Sequence, residues 1–138
     1  MSENQTALVL ASSSPRRRDL LGRLHVVPTR IASPDIDETP RKGEIPRVYA
    51  LRMAEEKARA VDRLPGEIVI AGDTTVALGR RVLDKAHDAE DVCAMLGKLA
   101  GRRHRVFAGV SVIDAKGRQK SRLSETIVTF KSLSQDEI

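Results

Sequence analysis

Leu8-Val9-Leu10, followed by Ala11-Ser12-Ser13-Ser14-Pro15-Arg16-Arg17, is the stretch from which the rest of the chain can be read. The apolar triplet reads as a buried strand, and Asp19-Leu20-Leu21 with Leu24 has the spacing of a helix. A strand, a Ser-rich turn, a proline and a helix opening on arginine can together hold a phosphate. Ser14 can cap the helix, and Pro15 suits its first turn. The free N–H groups at a helix start, and the positive end of its dipole, face such a turn. Three hydroxyls and the cations of Arg16, Arg17 and Arg18 would complete an anion pocket. The same residues also fit a plainer reading, a Ser-Pro helix cap with the arginines pointing into water.

The bulk properties narrow the class. A chain of 138 residues with 41% hydrophobic and 31% charged residues suits one globular domain rather than a disordered segment. No apolar run approaches a membrane span, and Met1-Ser2-Glu3-Asn4-Gln5 is no signal peptide, so no membrane partner and a cytoplasmic location are expected. The single Cys93 allows no internal disulfide and no cysteine-based zinc site; its apolar neighbours suggest a small core filler. A net charge of +5 favours anionic partners. One Tyr, two Phe and no Trp are too few for a stacking surface on single-stranded nucleic acid, which leaves a phosphorylated small molecule.

Along the chain, helices are expected from Pro15 to Leu24, from Val48 to Val61 and from Asp88 to Gly101. Leu51, Ala54, Ala58 and Val61 form the apolar stripe of the second, and Val92, Met95, Leu96 and Leu99 that of the third. Between the first two lies a short strand near Arg30-Ile31 and a long loop over residues 32 to 46, rich in breakers and carrying Asp35, Asp37, Glu38 and Glu44. Ile68-Val69-Ile70-Ala71 reads as a central strand ending at Gly72-Asp73-Thr74, with a short hairpin of Thr75 to Leu78 and Arg81 to Leu83 behind it. Val106 to Val112 and Leu123 to Phe130 predict an antiparallel pair. Ser134-Gln135-Asp136-Glu137 has the form of a capping box just before Ile138, which suggests a chain lacking a C-terminal part. The pattern is α/β, a mixed sheet flanked by helices with an antiparallel hairpin.

Asp73 is the strongest acidic candidate, because ligands of open α/β sheets gather at the carboxyl ends of strands. It could orient or deprotonate water, or hold a divalent metal; it could equally cap a tight turn. Asp37 and Glu38 could meet a metal that also touches phosphate, or be solvated turn residues. Lys57 and Lys85 could balance polyphosphate charge or lie as surface lysines over apolar neighbours. His25, His87 and His104 lack metal-ligand spacing and are read as structural. No Walker A loop, Gly-x-Gly-x-x-Gly or Gly-x-Ser-x-Gly occurs, and the serine cluster has no nearby base.

With these residues in view, the chain resembles the Maf family of nucleoside triphosphate pyrophosphatases. The resemblance is carried by residues 10 to 21, Asp35-Ile36-Asp37-Glu38-Thr39-Pro40, Arg52 to Ala58, Ala71-Gly72-Asp73-Thr74, and residues 96 to 106, in order along the chain. It implies an inosine-triphosphatase-like fold with a cleft between two lobes. It also implies hydrolysis of the α–β phosphoanhydride, giving monophosphate and pyrophosphate, with a divalent metal, Mg²⁺ or Mn²⁺. Ser12, Arg16 and Arg17 would match the phosphate turn, Glu38, Lys57 and Lys85 the polar lining of the cleft, and Asp73 the general base, with Glu38 and Asp73 as metal ligands. Arg16 after Pro15 and Thr74 after Asp73 resemble the branch acting on dTTP and UTP; the branch acting on 7-methyl-GTP tends to carry a bulky aromatic and Gln there. Lys85-Ala86 departs from the family's Lys-Pro, and family members continue for some tens of residues past the segment ending at Ile138. A nucleotide-binding or regulatory protein linked to cell division, without catalysis, is therefore the alternative. A homodimer stays open, and a basic nucleic-acid-binding domain is disfavoured by the scarcity of aromatics.

Overall fold

The computed structural model describes residues 7–83 and 86–138. Its elements are β1 (Leu8–Ala11), α1 (Pro15–Arg23), β2 (Arg30–Ala32), α2 (Pro46–Ala60), β3 (Ile68–Leu78), β4 (Arg81–Leu83), α3 (Ala89–Leu99), β5 (Arg103–Ile113) and β6 (Gln119–Thr129). They build one mixed sheet in the order β2-β1-β3-β5-β6, with β4 paired to β3. The β1–β2 and β1–β3 pairs are parallel, and the rest are antiparallel. This is the α/β architecture expected from the sequence. No described helix is long and apolar enough to cross a membrane.

The central strand is longer than expected. Gly72-Asp73-Thr74 does not end it, because β5 pairs continuously with β3 from Val69↔Ile113 to Ala77↔Arg105. β1 stops opposite Ala71, so β3 runs on past its parallel neighbour and carries Asp73 beyond the end of β1. Asp73 is therefore a mid-strand residue, not a strand-end turn residue. A continuous strand alternates its faces. Val69, Ala71, Asp73, Thr75 and Ala77 are buried, while Ile68, Ile70, Val76 and Leu78 are half-buried.

Helix α2 packs on β3, β5 and β6 and organises the buried face. It begins two residues before the expected start at Val48, with Pro46 in its first turn. Two apolar clusters flank its contact with the sheet. One joins Val9, Ala11, Ala58, Val61, Val69, Ala71 and Ile113. The other joins Ala50, Ala77 and Phe107, with Leu123 packed against it. Gly109 sits beneath α2, where a Cβ would lie 2.9 Å from the Ala50 carbonyl oxygen. Successive parallel crossovers in opposite directions across the sheet put α1 on the face opposite α2 if both are right-handed.

Three expectations need correction. Ser14 sits at the N-cap of α1 but its side chain makes no capping bond; instead the Ser12 Oγ accepts the Ser14 N–H at 3.0 Å. Helix α3 starts as expected, with Asp88 accepting the Asp91 N–H at 2.8 Å, but only Leu99 on it is buried and Val92 is 44% exposed. Cys93 is exposed rather than a core filler, because α3 turns little of its surface onto the sheet. The capping box does close: the Ser134 N–H meets Glu137 Oε1 at 3.0 Å, and the Glu137 N–H meets Ser134 Oγ at 3.2 Å.

Candidate active site

Asp73 is 3% exposed and both of its oxygens are engaged. Lys57, one turn from the end of α2, donates from Nζ to Oδ1 at 3.0 Å. Thr75, two residues along the same strand face, donates to Oδ2 at 2.6 Å. Lys57 itself is buried, which demands counter-charge. It finds a second carboxylate in Glu38, whose Oε1 lies 3.4 Å away. One buried cation thus draws together an acid from the central strand and an acid from the long loop. Lys57 is therefore not a surface lysine lying over apolar neighbours, the other setting its sequence position allows.

The loop reaches this position through α2. The Tyr49 hydroxyl donates to the Glu38 carbonyl at 2.6 Å. Arg52 binds Glu44 with a bidentate fork at 2.6 and 2.7 Å, Glu56 at 3.0 Å and the Thr39 carbonyl at 3.2 Å. The Arg52 guanidinium pulls the Glu44 carboxyl down to about 2, and Glu44 with Glu56 raises Arg52 in turn. Burial, with the charges of Asp73 and Glu38 nearby, pushes the Tyr49 phenol up to about 12. Asp37 turns away from this cluster: its Oδ1 accepts the Thr39 N–H at 2.9 Å, the turn-forming reading of that residue.

These groups open onto a cleft of about 620 Å³. Glu38, Tyr49, Asp73, Thr74 and Thr75 line it, together with Arg81 of β4, His87, and Asp91 and Lys98 of α3. No residue of the Ser-rich turn belongs to its lining. Ser12 is buried; its oxygen accepts one N–H and still has a proton to donate. Arg17 lies over Gly72, with Nε 3.6 Å from where a Cβ would be, next in sequence to Asp73. Arg16 is exposed at the helix start. Lys85 lies outside the described residues. So Glu38, Lys57 and Asp73 meet directly and Thr74 lines the same cleft, while Arg17 lies against Gly72 on the strand face opposite to that of Asp73.

Sequence reasoning missed Thr75, Tyr49 and the Arg52–Glu44 pair, and assigned His87 no role beyond structure. Thr75 was legible only with β3 read as continuous, since it then shares the face of Asp73. Tyr49 and Arg52 sit three apart on a helix, but nothing local says which loop they hold.

The donor set can be tested for a divalent ion. Among the described residues no group of three or more His, Cys, Asp or Glu could hold a metal. Glu38 and Asp73 supply two hard oxygen donors on the cleft, but the point between them holds the Lys57 ammonium. Such a pair suits Mg²⁺ or Mn²⁺ only when phosphate oxygens and water complete the shell, which is how Mg²⁺ is usually held.

The family model for Maf-like proteins matches residues 7–138. The chain belongs to the Maf-like protein family. Among its relatives it is 58% identical over 132 residues to the dTTP/UTP pyrophosphatase of Sphingopyxis alaskensis, spanning 96% of this chain and 70% of that protein. It is 54% identical to the dTTP/UTP pyrophosphatase of Caulobacter vibrioides, spanning 95% and 68%. In fold this Maf-like chain is similar to a nucleoside-triphosphatase (dITP/XTP pyrophosphatase) of Mycobacterium abscessus, with a TM-score of 0.51 at 17% identity over 89% of this chain and 72% of that one. It is also similar to the Ham1 protein of Staphylococcus aureus, with a TM-score of 0.52 at 18% identity over 88% and 70%. The inosine-triphosphatase-like fold expected for a Maf-like protein is the fold observed.

Proposed function

We propose that this Maf-like chain is a cytoplasmic nucleoside triphosphate pyrophosphatase that hydrolyses dTTP and UTP to the monophosphate and pyrophosphate. The observation that carries the reading is the buried Lys57 held between Asp73 and Glu38, both of which line the cleft. The activity for which the relatives are named, at 54 to 58% identity, supports the substrate class. Thr74 in the cleft lining and Arg16 at the helix start are the residues to which we assign base preference.

In this reading the triphosphate is held by Arg17, Arg16, the Ser12 hydroxyl and the free N–H groups opening α1. Water attacks the α-phosphorus, and a new P–O bond forms as the bond to the bridging α–β oxygen breaks. The electron pair leaves on pyrophosphate, and the proton of water passes to Asp73. Lys57 and Thr75 fix the Asp73 carboxylate so that it presents a set orientation to the water. Glu38 and Asp73 would hold a divalent ion, which when bound supplies positive charge to the phosphate oxygens. Arginine and lysine add to that electrostatic stabilisation as charge develops on the leaving group.

The test is a nucleotide panel with Mg²⁺ or Mn²⁺, resolving pyrophosphate from orthophosphate. The reading expects pyrophosphate from dTTP and UTP, and loss of turnover in Asp73→Asn by about 10² or more. Release of orthophosphate, or full turnover by Asp73→Asn, would overturn it. Tight nucleotide binding without any hydrolysis would favour the regulatory alternative.

A further inference from the structure

Residues 33–45 form no helix or strand, yet they deliver Glu38 to a defined point. An unsupported loop of that length would spread its carboxylate over many positions. Here two consecutive carbonyls are each gripped by a side chain from one face of α2. The Tyr49 hydroxyl donates to the Glu38 carbonyl at 2.6 Å, and Arg52 Nη2 donates to the Thr39 carbonyl at 3.2 Å. Arg52 is held in turn by its fork on Glu44, whose Oε1 also accepts the Arg41 N–H at 3.0 Å. The guanidinium lies 5.7 Å from the centre of the Tyr49 ring, so the two grips support each other. The loop is tied at Glu38 and on its C-terminal side.

We propose that Tyr49 and Arg52 are positioning residues of the pyrophosphatase reaction, fixing the backbone at 38–39 so that the Glu38 carboxylate stands opposite Asp73 across Lys57. The inference rests on the reading of Glu38 as part of the site. It assigns a task to two side chains that act on the loop backbone. Arg52 fits it by chemistry: only a planar fork can hold Glu44 twice and still reach a carbonyl. Lysine in its place keeps the charge and loses the geometry.

The experiment compares Tyr49→Phe, Arg52→Lys and Glu38→Gln, singly and in pairs, in dTTP turnover at saturating Mg²⁺, with melting temperature as a check on folding. Tyr49→Phe and Arg52→Lys are each expected to lower kcat about tenfold, the scale of one lost hydrogen bond at a buried site. In the Glu38→Gln background either substitution should then change kcat less than about twofold, because there is no carboxylate left to position. A purely structural role, or a direct contact of Tyr49 with substrate, predicts the full tenfold loss again in that background, and this would overturn the proposal. Trypsin supplies a readout that needs no activity. Arg41 and Lys42 are exposed on the loop, and their cleavage should accelerate several-fold in Arg52→Lys well below its melting temperature. Unchanged cleavage would also overturn the clamp. If Glu38→Gln keeps full turnover while Asp73→Asn loses it, the clamp falls and the enzyme reading stands. If the wild-type chain hydrolyses no triphosphate, the enzyme reading falls and the cleavage rates alone decide whether Tyr49 and Arg52 hold the loop.

Discussion

Adding one methyl group at Gly109 should damage both stability and activity, because that glycine sets how deeply α2 lies on the sheet. A Cβ there would stand 2.9 Å from the Ala50 carbonyl oxygen, 3.3 Å from its carbonyl carbon and 3.3 Å from the Ala54 Cβ. Two of these atoms are backbone, so no side-chain rotation relieves the clash. Comfortable separations begin near ~3.5 Å, so α2 must lift by roughly half an ångström. Overpacking of this kind costs about 1–3 kcal/mol. For a chain of this size that is a fall of roughly 5–10 °C in melting temperature. The lift also reaches the site, since Tyr49, Arg52 and Lys57 all ride on α2 and Gly109 is the cross-strand partner of Asp73. A bond such as Lys57 Nζ to Asp73 Oδ1 at 3.0 Å does not survive half an ångström unchanged, and turnover should fall about tenfold or more. Circular dichroism melts and dTTP kinetics, measured where both proteins are folded, give the two numbers. A Gly109→Ala protein with wild-type melting temperature and wild-type kcat would refute the reasoning.

Gly97 makes the opposite case. It lies in α3, and a methyl group added there would meet nothing within 4 Å, so Gly97→Ala should raise stability by about 0.5–1 kcal/mol and leave turnover unchanged; a lower melting temperature would contradict this. Lys57→Met leaves the buried Asp73 without its cation and should cost about 3–5 kcal/mol in urea unfolding, with turnover abolished; a loss below about 1 kcal/mol would show that Thr75 alone can hold that carboxylate. Glu44 gives a pH test. Its carboxyl is drawn down to about 2 by Arg52, so its contribution is full above its ordinary 4.5 and is lost as pH falls through about 2. The difference in urea midpoint between wild type and Glu44→Gln should therefore shrink over that window, by a contribution on the order of 1–2 kcal/mol once solvent screening is allowed for. Parallel curves from pH 5 to pH 2 would sink that account.

Local signals identified what depended on local chemistry. Pro15 opens α1, Asp88 caps α3 and Leu78 and Arg81 close the β3–β4 hairpin, each a matter of a few neighbouring residues. Asp73 was legible as a candidate because an acid follows an apolar β-rich run. Its true setting was not, because Gly72-Asp73-Thr74 has the composition of a turn and only pairing with β5, distant in sequence, keeps it extended. Losing that continuity also hid Thr75, whose hydroxyl shares the face of Asp73. The choice of Ser12 over Ser14 as the turn's acceptor was equally beyond reach, since both are serines and the backbone decides. Val92 and Cys93 misled in the other direction: a helical apolar stripe states what a helix could bury, not what this one does bury.

The ambiguity over Lys57 was of a different kind, and it shows how the site is built. A lysine beside an apolar stripe is usually a surface residue, and nothing within α2 says otherwise. What inverts the odds is that β3 and the long loop each bring a carboxylate to the same point, at 3.0 and 3.4 Å from one ammonium. Neither acid is near the other in sequence, and Glu38 is brought there by side chains of the very helix that carries Lys57. One helix thus sets the cation, the loop acid and, through Gly109, its own distance from the strand acid. A site assembled this way has a single mechanical reference. Displacements of α2 should therefore affect Glu38, Lys57 and Asp73 together, whereas changes on α3, across the cleft, should leave their mutual geometry intact.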